Sequence, residues 1–166
     1  FRAAARALGD IQTIKAERAL RSALRGSLAL RRQEFAFALM RHAAAKLRRG
    51  KAPAAAAIYQ QFTPRTEVRA VRLIAYVGFA RAVGAGALPL LLIAMVDPDD
   101  KIADLAAQEI ARLKNLVLDQ RTTNQIVGAA RRGQSRIILI HGFIRRGKAD
   151  ALGFIRTVLR ARGGRG

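Results

Sequence analysis

The sequence predicts an all-α protein, a right-handed α-solenoid of about four to five helical hairpins. Three observations carry that expectation. Apolar residues recur at helical rather than alternating intervals along most of the chain. The turn residues Gly50, Gly84, Asn115 and Gly147 fall 34, 31 and 32 positions apart, with Gly9 a further 41 before the first, close to the ~34-residue period of stacked helical repeats. One phrase also occurs twice: KLRRGKAPAAAAIYQQF at 46–62 aligns without gaps on FIRRGKADALGFIRTVL at 143–159. The whole chain, 1–166, reads as one helical-repeat domain with hairpins at roughly 1–27, 28–63, 66–97, 98–133 and 134–163.

Taken in order, Asp10 is placed to cap a helix carrying Ile11, Ile14, Leu20 and Leu24 and ending at Gly26. A long helix follows from Leu28 to Leu47 and stops at Arg48-Arg49-Gly50. Pro53 then opens the next helix, where its missing N–H is tolerated, and Thr63-Pro64 closes it. Residues 67–96 are the most apolar part. Arg81, Gly84 and Gly86 interrupt them, and the unbroken apolar run is shorter than the ~20 residues of a spanning helix, so a buried hairpin is expected there. Asp97-Pro98-Asp99-Asp100 makes a turn and N-cap. The helix after it carries Ile102, Leu105, Ala106, Ile110 and Leu113, and Asn115 breaks it. Helix is expected to resume from Leu116 to Ala130 and to end on Arg131-Arg132-Gly133. The last hairpin starts at Ser135, turns at Arg145-Arg146-Gly147, with Gly147 expected in a left-handed cap, and runs through Ala151, Leu152, Ile155, Val158 and Leu159 to Gly163.

Composition bounds the chemistry. Lys and Arg number 31 against 11 acids, a net charge of +20, so a polyanion is the first partner expected. A hydrophobic fraction of 51% argues for a packed body beneath that basic surface. The absence of cysteine excludes disulfides, thiol catalysis and cysteine-ligated zinc. Two histidines make no metal site, and His42 and His141 read as repeat-structural residues. Gly84-Ala85-Gly86 lacks the Lys-Ser/Thr of a phosphate loop. Asp99, Asp100 and Asp104 fit a helix start better than a cation site. No enzyme, cofactor or small-molecule substrate is expected. The acidic 97–120 segment is expected to face a protein neighbour or solvent. FRAAARAL at 1–8, rich in Arg and Ala and without acids, reads as following a removed organelle transit segment.

LIHGFIRRGKADALGFIRTVLRARG, 139–163, resembles a pentatricopeptide repeat: a Leu-Ile start, the Gly147 that ends the first helix, the Ala151-Leu152 pair after it and an Arg-Gly finish. LMRHAAAKLRRGKAPAAAAIYQQF, 39–62, resembles the same motif more loosely. The resemblance implies binding of single-stranded RNA in mitochondria or chloroplasts, in some members as part of an organellar ribosome. Ile137 stands where the family places a base-selecting polar residue, so the motif departs from it there. A HEAT-type reading of 86–114 gives the same architecture.

The residues singled out for RNA are the triplet arginines and the lysines after them: Arg48, Arg49, Lys51, Arg131, Arg132, Arg145, Arg146 and Lys148. Stacked hairpins would set equivalent turns along one edge as a basic ridge for phosphates; the same residues also serve as helix C-terminal caps. The function expected is a non-catalytic, rRNA-contacting structural component of a mitochondrial ribosome, with protein neighbours in a large assembly. The alternative is an accessory subunit of an organellar membrane complex, its charge meeting anionic lipid or acidic subunits.

Overall fold

The computed structural model describes residues 2–11 and 13–163, and the side chains at 2, 29, 30, 148–150 and 161–163 lie outside that description. Among the described residues every regular element is helical, as the periodicity predicts. The contacts gather in two compact units, 1–83 and 84–166.

The first unit holds α1 (Arg2–Asp10), α2 (Ile14–Arg25), α3 (Ala29–Arg48), α4 (Ala52–Gln60) and α5 (Arg69–Val83). The other four helices all pack on α3. That helix is apolar around most of its circumference, with Phe35, Ala36, Ala38, Leu39, Met40 and Ala43 all buried, which is the pattern of a central helix rather than a surface one. Small residues let its neighbours close in. A Cβ on Gly9 would stand 2.7 Å from the Ala38 carbonyl oxygen, and one on Gly78 would stand 2.2 Å from the Tyr59 ring. Gly9 is therefore a contact inside α1 rather than a turn. Asp10 ends α1 and pairs with Arg41 at 2.9 Å. The cap of α2 is Thr13, whose hydroxyl accepts from the Ala16 N–H at 3.1 Å.

A half-buried ionic cluster fastens α2 to α3. The Glu17 carboxylate takes Lys46 at 2.9 Å, Arg21 at 2.9 Å and the Nε2 of His42 at 3.4 Å. Arg21 also donates to Gln61 at the end of α4, at 2.8 Å. Burial pushes the Glu17 carboxyl up, but the bonds and charges of Lys46 and Arg21 outweigh it and hold it below its ordinary value. Burial and the Lys46 charge push the fully buried His42 down against the pull of Glu17.

The second unit begins with a 3-10 turn, Gly84–Ala87, and continues as α6 (Leu88–Met95), α7 (Asp100–Arg112), α8 (Gln120–Ala129), α9 (Gly133–Arg146) and α10 (Lys148–Gly163). α6 packs on α7 and α8, α7 on α9, and α10 on both α8 and α9. Its core holds Leu91, Ile102, Ile110, Ile126 and Leu139, with Phe143 and Phe154 edge-on, their centroids 5.0 Å apart.

α5 takes its partners from α3 and α4, and α6 takes its partners from α7 and α8. Helical residues run from Arg69 to Met95, broken at the left-handed Gly84. This 27-residue stretch is long and apolar enough to cross a membrane by length and composition alone.

Three of the four predicted turn residues are left-handed, Gly50 at φ 73°, Gly84 at 58° and Asn115 at 59°. Gly147 caps α9 in an extended conformation, φ 161°, rather than the left-handed one expected. Helix does not resume at Leu116 but at Gln120, where the Asp119 side chain accepts from the Thr122 N–H at 2.7 Å and starts α8. The duplicated phrase makes a helix-turn-helix both times, with different turns. Arg49, Gly50 and Lys51 separate α3 from α4, but Gly147 alone separates α9 from α10. The buried stripes Ala55, Ile58, Phe62 and Ala151, Phe154, Val158 consequently match 96 positions apart, one fewer than the gapless alignment.

Candidate nucleic-acid interface

α7 and α9 lie parallel and in register. Near their starts Arg132 meets Asp100 at 3.0 Å, and the Ser135 hydroxyl meets Asp104 at 3.3 Å. Farther along, a Cβ on Gly142 would stand 2.2 Å from that of Ala111, and Arg146 donates to the Leu116 carbonyl at 2.8 Å. Each pair is 30–32 positions apart, so the period of the sequence is the offset between two packed helices.

The last turn of α7, the segment after it and one side of α9 along its length enclose an open cleft of about 960 Å³. Arg112 and Lys114 stand on one bank, Arg145, Arg146 and His141 on the other, with Ile137, Ile138 and Leu113 between, and none of the lining residues is acidic. Basic residues gather there for a local reason. Helix C-termini present unpaired carbonyls and the negative end of the dipole, so both helices place cations in their last turns. Arg112 keeps one guanidinium nitrogen on Glu109 at 2.9 Å while its side chain stays 68% exposed. Arg145 and Lys114 are exposed, and no side chain pairs with either among the described residues.

The structure sorts the predicted residues by what already holds them. Arg145 is an open cation of the cleft. Arg146 is half-buried, bonded to Leu116 O and set over the Phe143 ring at 5.8 Å, so it latches the α7–α8 segment to α9. Arg131 is exposed, but Arg132 is the N-cap residue of α9 and binds both Asp100 and the Pro98 carbonyl. The triplet at 131–133 therefore opens a helix instead of ending one. It lies a 14-residue helix, about 20 Å, from its supposed equivalent at 145–147, and the two do not share an edge. Arg48, Arg49 and Lys51 are exposed together at the α3–α4 turn of the first unit. The Lys148 side chain lies outside the described residues. His42 is buried in the Glu17 cluster, whereas His141 is exposed in the cleft.

Sequence reasoning missed Arg112 and Lys114 because the acidic balance of 97–120 was averaged over the segment. The acids Asp97, Asp99, Asp100 and Asp104 sit with Lys101 at the start of α7, whereas Arg112 and Lys114 stand at its end. The signal was present: Arg112 and Lys114 immediately precede Asn115, as Arg145 and Arg146 precede Gly147. Among the described residues no group of three or more acidic or histidine side chains is arranged to hold a metal ion. Compared with protein-family models, with curated proteins and with solved structures, the chain matches none.

Proposed function

We propose that this chain is a non-catalytic RNA-binding helical-repeat protein and a structural component of a mitochondrial ribosome, holding RNA phosphates in the cleft between α7 and α9. The observation that supports this reading is the cleft lining, with four cations on two banks and no carboxylate. Such a site rewards a phosphate chain entering between the banks and carries little information about base identity. Exposed Arg48, Arg49 and Lys51 add a second phosphate contact on the first unit. A solenoid is supported by next-but-one packing, α1 on α3, α3 on α5, α7 on α9 and α8 on α10. The mitochondrial setting is supported by the pentatricopeptide resemblance.

The test is sedimentation of a mitochondrial lysate with and without ribonuclease, following this chain by mass spectrometry. The chain is expected with a ribosomal subunit and lost from it after nuclease. Migration with a membrane complex, indifferent to nuclease, overturns the proposal. That outcome belongs to a second reading, an accessory subunit of an organellar membrane complex, which the apolar helical stretch Arg69–Met95 favours.

A further inference from the structure

We propose that the outward face of α2 is a contact site for an anionic lipid surface. The helix is amphipathic, burying Ala16, Leu20 and Leu24 against α3. Its opposite side carries Ile14, Arg18 and Arg25, which at 100° per residue fall within about 40° of one another, with Lys15 beside them. Ile14 is 76% exposed, and two further aliphatic side chains flank the helix in the open, Ile11 at 47% and Leu28 at 80%. A soluble surface helix places polar residues on this side, and three large aliphatics left in water around one helix call for an apolar partner.

Charge selects which partner. The face presents cations alone, because the nearest carboxylates are already held. Asp10 is bound to Arg41, and Glu17 is turned inward to Lys46 and Arg21. The first unit as a whole carries 17 bases against 4 acids. Phosphates of a nucleic acid would satisfy Lys15, Arg18 and Arg25 but leave Ile11, Ile14 and Leu28 solvated. A bilayer surface of anionic headgroups satisfies both, with the aliphatics entering the acyl boundary and the cations staying at headgroup level. The face is independent of the cleft in the second unit.

The experiment is flotation of the full chain with unilamellar vesicles, of phosphatidylcholine alone or with about 30% phosphatidylserine. The chain is expected to float with the anionic vesicles only. Ile14→Ser/Leu28→Ser, which keeps every charge, should lower the apparent partition coefficient about tenfold. Lys15→Gln/Arg18→Gln/Arg25→Gln should lower it about a hundredfold, at roughly fivefold per cation. All five side chains are exposed, so circular dichroism should be unchanged in both variants, and their affinity for single-stranded RNA should stay within about fivefold of the parent. Absence of flotation overturns the proposal. So does an Ile14→Ser/Leu28→Ser variant that floats like the parent, since the attraction would then be charge alone. A loss of RNA affinity in the Lys15→Gln/Arg18→Gln/Arg25→Gln variant would assign the face to nucleic acid instead.

Discussion

Replacing Arg112, Lys114 and Arg145 together by glutamine removes the cleft's exposed cations while leaving its walls in place. On a single strand each neutralised phosphate contributes about 0.7 to the slope of log affinity against log salt, so the triple variant should lose about 2 of slope. Raising salt from about 50 to about 200 mM would then weaken the parent about 16-fold more than the variant. The assay is fluorescence anisotropy of a short labelled single-stranded RNA across a salt series. Arg146→Gln is the informative companion. One guanidinium nitrogen of Arg146 is spent on Leu116 O, and its face rests on Phe143, so the slope should hardly change. Its loss should instead lower stability by about 1–3 kcal/mol, read as a reduced Tm. A triple variant with the parent's slope, or an Arg146→Gln variant that loses as much slope as Arg145→Gln, would refute the division between open and structural cations.

Four further outcomes follow from the packing. Gly78→Ala and Gly142→Ala put a methyl group 2.2 Å from the Tyr59 ring and from the Ala111 Cβ, and each should cost about 1–3 kcal/mol in urea unfolding. Gly153→Ala, inside α10 with nothing within 4 Å of the added carbon, should instead stabilise by about 0.5–1 kcal/mol. Gly50→Ala meets no neighbour either, yet it should cost about 1 kcal/mol because φ is 73°. Burial and Lys46 hold His42 below its ordinary 6.5, so the folded chain favours the neutral ring; that stability is complete above about pH 6.5 and lost as pH falls below it. Protonation of Glu17, held net below 4.5 by Lys46 and Arg21, adds a second loss at lower pH. Urea midpoints should fall from neutral to mildly acidic pH, and His42→Gln should flatten that first decline; a parallel decline in both proteins would sink the assignment.

Helical class and period were legible because they reside in residue types the backbone constrains strongly. Gly50, Gly84 and Asn115 mark left-handed turns, and their spacing is the offset at which parallel helices meet. The misreadings have a common cause, since one local phrase is compatible with several backbones. Arg-Arg-Gly ends α3, ends α9 and opens α9, and only the neighbours that each arginine finds decide between these uses. Asp100 and the Pro98 carbonyl capture Arg132, and Leu116 O captures Arg146, while Arg145 meets neither. Gly9 likewise carries the same letter as a turn glycine but answers to Ala38, 29 positions away. The cleft was half visible. Arg145 and Arg146 belong to the duplicated phrase, whereas Arg112 and Lys114 join them only through the α7–α9 register. The exposed Ile14 was counted in its helix's apolar pattern, because such a pattern does not reveal that one of its members lies on the far side.

The parallel register of α7 and α9 also brings like charges together. Parallel dipoles add, so the two negative helix ends lie side by side, and the cations gathered there more than offset them. At their starts Asp97, Asp99, Asp100 and Asp104 offset Lys101, Arg131, Arg132 and Arg136. At their ends Arg112, Lys114, Arg145 and Arg146 outnumber Glu109. The pair of helices thus has one electrically balanced end and one positive end. In the field of a polyanion such an object experiences a torque as well as an attraction and arrives positive pole first. Orientation on approach is then fixed before any contact is made, and dilute salt should slow association even for variants whose final contacts are intact.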